Sequence, residues 1–217
     1  MNCCGAALVM MMMMMSEEQR VLHDADMREP LFDYLEETRG KIRIVEEKQM
    51  GKSRADVVMV AGDSLTGIEI KSDADTYTRL ARQVKDYNRF FDYNLIVVGS
   101  THAMHVAEHV PDWWGIISAE VIKGSFDFYE VRTCLPNPKP DLKRKLGFLW
   151  RPELAHIQEL NGMHKYRERS KDFVISKILE SAAPETLHRQ ISEELFERDY
   201  TTIEEELNAY RRQRAHR

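Results

Sequence analysis

The stretch from Arg54 to Tyr87 constrains the fold of this chain more than any other. Ala55 to Val60 is an apolar, β-branched run, and Leu65 to Lys71 is a second one. Ala61-Gly62-Asp63-Ser64 between them has turn composition, so a β-hairpin is predicted. Side chains alternate along a strand, so Ile68 and Ile70 point to one face and Glu69 and Lys71 to the other. Ser72-Asp73-Ala74-Asp75 then interrupts the pattern and offers helix N-cap groups. Tyr77, Leu80, Val84 and Tyr87 recur at helical spacing, which predicts a helix running to about Phe91. A helix so close behind a strand must pack on the sheet, and this one carries Gln83 and Tyr87 at i and i+4 on one face.

The flanking segments complete an α/β pattern. Asp24 to Arg39 reads as a helix, with Met27, Leu31, Tyr34 and Leu35 on one face, Pro30 in an early turn and Gly40 as the stop. Ile42 to Glu46 alternates like a strand, and Gly51-Lys52-Ser53 makes a loop. Leu95 to Gly99 is a short, wholly apolar strand of the kind buried mid-sheet. Thr101 to Glu108 reads as a short helix, and Gly115–Val121 and Phe126–Val131 as edge strands. The predicted order of helix, three strands, helix and strand describes an α/β domain with a mixed sheet, over residues 16–135. A proline-rich linker at 136–140 follows, and then an all-helical extension over 141–217. Its helices are predicted at Arg151–Leu160, Lys171–Ser181, Leu187–Arg198 and Ile203–Arg214. Residues 1–15 are read as an unstructured leader outside the fold, with six methionines from Met10 to Met15 and a natural start at Met15. This apolar stretch is shorter than the roughly 20 residues a membrane span needs, and it lacks the basic region of a signal peptide.

An acid on one strand and Glu-x-Lys on its neighbour have a specific chemical use. Asp56 lies on the strand that partners Glu69, so a tight hairpin brings two carboxylates together. Hard oxygen ligands with open water positions suit Mg²⁺ (or Mn²⁺), which keeps waters and binds phosphate. Without a cation the two acids would repel, and one would tend to hold a proton. Lys71 is placed to orient the attacking water or to stabilise the charged phosphoryl centre, and Gln83 reaches the rim from the helix. Arg79, Arg82, Lys85 and Arg89 on that helix are phosphate-contact candidates.

Asp56…Glu69-Ile70-Lys71 resembles the signature of the PD-(D/E)XK nuclease superfamily, with its restriction-endonuclease-like fold. Gln83-Val84-Lys85-Asp86-Tyr87 is similar to the Q-x-x-x-Y element of its RecB-like members. A closer likeness is to a family of small bacterial and phage proteins in that superfamily. It runs through Gly67-Ile-Glu69-Ile-Lys71-Ser72-Asp73-Ala-Asp75-Thr76, Arg79-Leu80 and Gln83, and on through Pro111-Asp-Trp113-Trp114-Gly115-Ile116 to Leu149-Trp150-Arg151-Pro152-Glu153. The resemblance implies metal ligation by Asp56, Glu69 and the Ile70 carbonyl, a catalytic Lys71 and an accessory Gln83. It also implies a further acid at Glu47, with Glu46 adjacent. The proline of the signature is replaced by Ala55, a position that varies in the superfamily.

Other motifs compete. His105-Val-Ala-Glu108-His109 spells an inverted zinc-hydrolase motif, with His102 and either Glu180 or Glu185 as further ligands; a solvent-facing histidine stripe is the plainer explanation. Trp113-Trp114 reads as a loop anchor before it reads as a base-stacking platform, and Asp73 and Asp75 as helix caps before ligands. The segment from Pro152 to Leu179 loosely resembles a helix-extended-loop-helix nucleic-acid module, with Lys143, Arg144, Lys145, Arg151, Lys165, Arg167, Arg169 and Lys171 giving it a basic character; a packing or partner-binding bundle serves equally.

The reading at this stage is a cytoplasmic, Mg²⁺-dependent deoxyribonuclease without membrane association, with homodimerisation left open. Asp56, Glu69, Lys71 and Gln83 are assigned to catalysis, and Arg54, Arg79, Arg82 and Tyr87 to contacts with DNA. A non-catalytic nucleic-acid-binding or regulatory protein on the same fold is the alternative. The net charge of −5 requires any nucleic-acid surface to be a local cluster of cations. Three cysteines without framework spacing point to a reducing compartment.

Overall fold

A computed structural model describes residues 23–198. Helix α1 (Asp24–Arg39) leads into strands β1 (Arg43–Met50), β2 (Ser53–Ala61) and β3 (Ser64–Lys71). A 3₁₀ turn (Tyr77–Arg79) opens helix α2 (Leu80–Phe90), which is followed by strand β4 (Tyr93–Gly99). A four-residue helix α3 (Ser100–Ala103), a 3₁₀ turn (Val106–Glu108) and strands β5 (Gly115–Ile122) and β6 (Ser125–Arg132) complete the sheet region. Four helices follow: α4 (Leu142–Gly147), α5 (Arg151–Leu160), α6 (Lys171–Ser181) and α7 (Pro184–Phe196).

The six strands form one mixed sheet in chain order. β1, β2 and β3 are antiparallel neighbours, β3, β4 and β5 run parallel, and β6 returns antiparallel to β5. The two apolar registers of the strands explain the layers. Val57, Met59, Ile68, Ile70, Leu95 and Val97 face α1 through Met27, Leu31 and Leu35. Val58, Val60, Ile96 and Val98 face the opposite way, onto Leu80, Val84, Tyr87 and Phe90 of α2. Leu154 and Ile157 of α5, Val174 and Ile178 of α6 and Leu187 and Ile191 of α7 join that same core.

Helix α1 spans the predicted residues, with acids at its positive end, Arg39 at its negative end and Gly40 at φ +74° as the stop. Pro30 lies in its second turn rather than its first, so one helical hydrogen bond is forgone. Several expectations are corrected. The predicted helix over 101–108 is broken into α3 and a 3₁₀ turn, and the segment forms no continuous helical face. β5 is an interior strand, held between β4 and β6; β6 is the edge. α4 was not predicted, although Asp141 caps it by accepting from Arg144 N–H at 3.3 Å. The predicted helix at Leu187–Arg198 begins earlier, with Pro184 in its first turn. The leader 1–15 and the predicted helix Ile203–Arg214 lie outside the described residues.

Residues 136–140 are fastened to the sheet side. Asn137 N–H donates to Asp92 O at 2.7 Å, and its amide donates to Phe91 O at 2.7 Å and Asn88 O at 2.8 Å. Further on, Lys145 is fully buried and reaches Asp92 Oδ2 at 2.6 Å and His188 Nδ1 at 2.7 Å. These bonds seat the helical extension on the junction between α2 and β4.

Candidate active site

The β2–β3 ladder runs from Ala61↔Ser64 to Val57↔Ile68 and then stops. On its other side, the β1–β2 ladder skips the Glu47/Asp56 position, where Glu47 is forced to φ +53°. Asp56 therefore sits where β2 parts from β3. Its Oδ2 accepts Ile70 N–H at 2.8 Å, a backbone donor the parted ladder leaves open. The Tyr87 hydroxyl fills the same fork, accepting Asp56 N–H at 3.3 Å and donating to Ile68 O at 3.0 Å.

Glu69 and Lys71 project from the face of β3 that meets α2, opposite Ile68 and Ile70. Glu69 is fully buried and Lys71 nearly so, and Lys71 Nζ lies 2.5 Å from Glu69 Oε1. Gln83, one turn into α2, donates to the same Glu69 oxygen. Glu69 Oε2 is buried without a hydrogen-bond partner, as is Gln83 Oε1. The four side chains open onto a cleft of about 400 Å³, which Arg54, Arg79 and Arg82 also line.

Burial pushes the Asp56 carboxyl up to about 7, and the neighbouring Glu69 charge pushes the same way; the Ile70 N–H and Lys71 pull it down. Glu69 is also raised, by burial first, against the pull of Lys71. A half-buried and a fully buried carboxylate that resist ionisation together, the buried one with an unpartnered oxygen, suit a divalent cation. Asp56 and Glu69 fit as ligands, and Ile70 lines the same cleft. Glu47 lines it as well, but its carboxylate is bound by Arg28 at 2.6 Å and by Arg54. Among the described residues no group of three or more His, Cys, Asp or Glu side chains is gathered as a metal shell. The metal reading rests on two carboxylates, with Glu47 committed to arginines.

The family model for bacteriophage P4 protein cII matches residues 15–216. The chain belongs to the bacteriophage P4 protein cII family. No curated protein matches it, and no solved structure does.

Two residues of this cII-family chain enter the cleft from an unforeseen direction. Asp24 and Arg28, in the first turns of α1, line it. Arg28 pairs with Asp24 at 2.8 Å and Glu46 at 3.0 Å as well as with Glu47. Their i, i+4 spacing was visible in the sequence, but the crossing of α1 over the β1–β2 hairpin was not. Lys52, at the hairpin turn, is a further cation at the mouth.

Other candidates are placed elsewhere. Tyr87 is corrected from a DNA contact to a buried residue, because its helix face turns into the sheet. Asp73 and Asp75 are not helix caps: Asp73 accepts from Thr101 Oγ1 at 2.5 Å, and Asp75 from Ser72 N–H at 2.9 Å. Trp114 is a buried anchor, with its indole N–H on Asn88 Oδ1 at 2.8 Å. The zinc motif loses its geometry with the broken helix. His105 and Glu108 are exposed and 3.8 Å apart, while the His109 ring lies 4.2 Å from that of Tyr77. In the extension, Lys145 is buried, Arg151 is spent on Tyr166 O and Arg167 O, and Lys171 on Gly147 O. These three cations serve the packing of the extension, whereas Lys143, Arg167 and Arg169 are exposed. No described helix is long and apolar enough to cross a membrane.

Proposed function

We propose that this chain is a Mg²⁺-dependent phosphodiesterase acting on DNA, built on a restriction-endonuclease-like core. The observation that carries the reading is the convergence of Asp56, Glu69, Lys71 and Gln83 on one cleft, with a buried Glu69 oxygen left without a partner. The helix, three strands, helix and strand of α1 to β4 support the fold assignment. Asp56 and Glu69 would hold the ion, which supplies a water of lowered pKa and screens charge on the phosphoryl oxygens. Lys71 keeps a cation beside the scissile phosphate and orients the nucleophile. Gln83 fixes the rotamer of Glu69 from α2. Arg54, Arg79, Arg82 and Lys52 at the rim neutralise the flanking phosphates, a local cluster in an acidic chain.

Incubation with supercoiled, linear and single-stranded DNA in Mg²⁺ or Mn²⁺ tests this. Asp56→Ala and Lys71→Ala should each lower cleavage by about 100-fold or more. Cleavage that survives both substitutions, or its absence from the wild type on every substrate, overturns the proposal.

The Lys71–Glu69 bond favours a second reading. A lysine already neutralised by its neighbour is also what a silent site on the same fold would contain. That protein would bind DNA through the rim arginines without cutting it. Retained DNA affinity and no cleavage in either metal identifies it.

A further inference from the structure

Tyr87 lies outside the ligand set, yet its hydroxyl occupies the point where β2 and β3 part. We infer that Tyr87 is a positioning residue, whose hydroxyl holds β2 and β3 apart so that the Asp56 carboxylate is presented to the cleft. This rests on the reading of the site as a metal centre.

The geometry supports each part. Regular pairing ends at Val57↔Ile68, one residue before Asp56. There the phenol bridges the two strands, taking Asp56 N–H and giving its own proton to Ile68 O. The next backbone donor on β3, Ile70 N–H, goes to the Asp56 carboxylate instead of to a strand carbonyl. The fork thus depends on a side chain from α2. Tyr87 itself is fully buried and wedged between the Phe91 and Trp114 rings, each with its centroid 5.4 Å away. Gly67 makes room for it: a Cβ there would lie 2.7 Å from Tyr87 Cδ1 and 2.2 Å from Phe91 Cδ2. The helix that brings Gln83 to Glu69 therefore also sets Asp56, so both acids take their placement from α2.

Tyr87→Phe keeps the ring and removes the bridge together with the hydroxyl's interaction with Glu69, so the Ile70 amide, which does not touch Glu69, is the readout that isolates the fork. Amide hydrogen exchange at Asp56 and Ile70, and Mg²⁺ binding by calorimetry, are compared with those of the wild type. Exchange at Ile70 should quicken, and Mg²⁺ affinity should fall, each by about tenfold, the effect of losing a buried hydrogen-bond relay. Exchange elsewhere in β3 and β4 should stay within about twofold of the wild type, which a general loss of stability would not allow. Unchanged Ile70 exchange and unchanged Mg²⁺ affinity would overturn the inference while leaving the metal site standing. A wild type that takes up no Mg²⁺ removes the metal site, and the amide measurement then still decides whether the phenol holds the fork. If the Phe variant does not fold, 3-fluorotyrosine at position 87 retains the hydroxyl but weakens it as an acceptor. It should shift both signals in the same direction by a smaller amount, and no shift would count against the inference.

Discussion

Asp56 carries a proton balance that can be measured without any substrate. In the native state it keeps its proton up to about pH 7, whereas an unfolded aspartate releases it near 4. Between those values the native state binds more protons than the unfolded one, so stability falls as pH rises through this window. The raised Glu69 works in the same direction. Urea unfolding without divalent ions should therefore show the protein less stable at pH 7.5 than at pH 5, and Asp56→Asn should reduce that slope. If the site holds Mg²⁺ as proposed, the ion requires the ionised carboxylates, so its stabilising effect should grow from pH 6 to pH 8. A Mg²⁺ shift that is flat across this range would contradict ligation by Asp56. At this scale the sequence was informative for Glu69, Lys71 and Gln83, because strand alternation and helical spacing are local rules. Tyr87 was read on the right helix face but assigned to a DNA contact, since spacing does not say how close α2 lies to the strand.

Among the elements, the fit between α2 and β3 is tightest at Gly67. Gly67→Ala forces its new methyl into the Phe91 and Tyr87 rings. Such overpacking costs about 1–3 kcal/mol, and thermal unfolding should drop by several degrees. A variant that melts with the wild type would show that the rings yield freely. Helix α1 and the β2–β3 hairpin were legible because their caps and turns are coded within a few residues. The break after Ala103 was not, because it comes from docking: His102 and His109 both pack on the Tyr77 ring, at 4.9 and 4.2 Å. β5 was misread as an edge for a related reason. Its last three residues, Glu120-Val121-Ile122, are exposed beyond the point where β4 ends, although two of them are apolar.

For the molecule as a whole, the proline-rich stretch suggested a joint between two units, yet one core runs from β2 through α2 to α7. Composition marks where regular structure pauses, and it does not reveal that Asn137 then bonds back onto the end of α2. Lys145 is the clearest electrostatic fastening across that seam. Lys145→Ala leaves Asp92 charged with only Leu65 N–H and His188 beside it, and should lower stability by about 3 kcal/mol in urea unfolding. Adding Asp92→Asn should recover part of that loss. Additive losses in the double variant would mean that the two groups do not act as a pair.

The turn between β1 and β2 is stitched to α2. Ser53 Oγ donates to Asp86 Oδ2 at 2.7 Å, and Gly51, at φ +56°, passes so close that a Cβ there would lie 3.0 Å from the same carboxylate. Lys52 and Arg54 on one bank and Arg82 on the other are therefore bolted to a common frame. If DNA enters this cleft as proposed, the spacing of its two banks is set by one hydroxyl-to-carboxylate bond, and Ser53→Ala should let them drift apart.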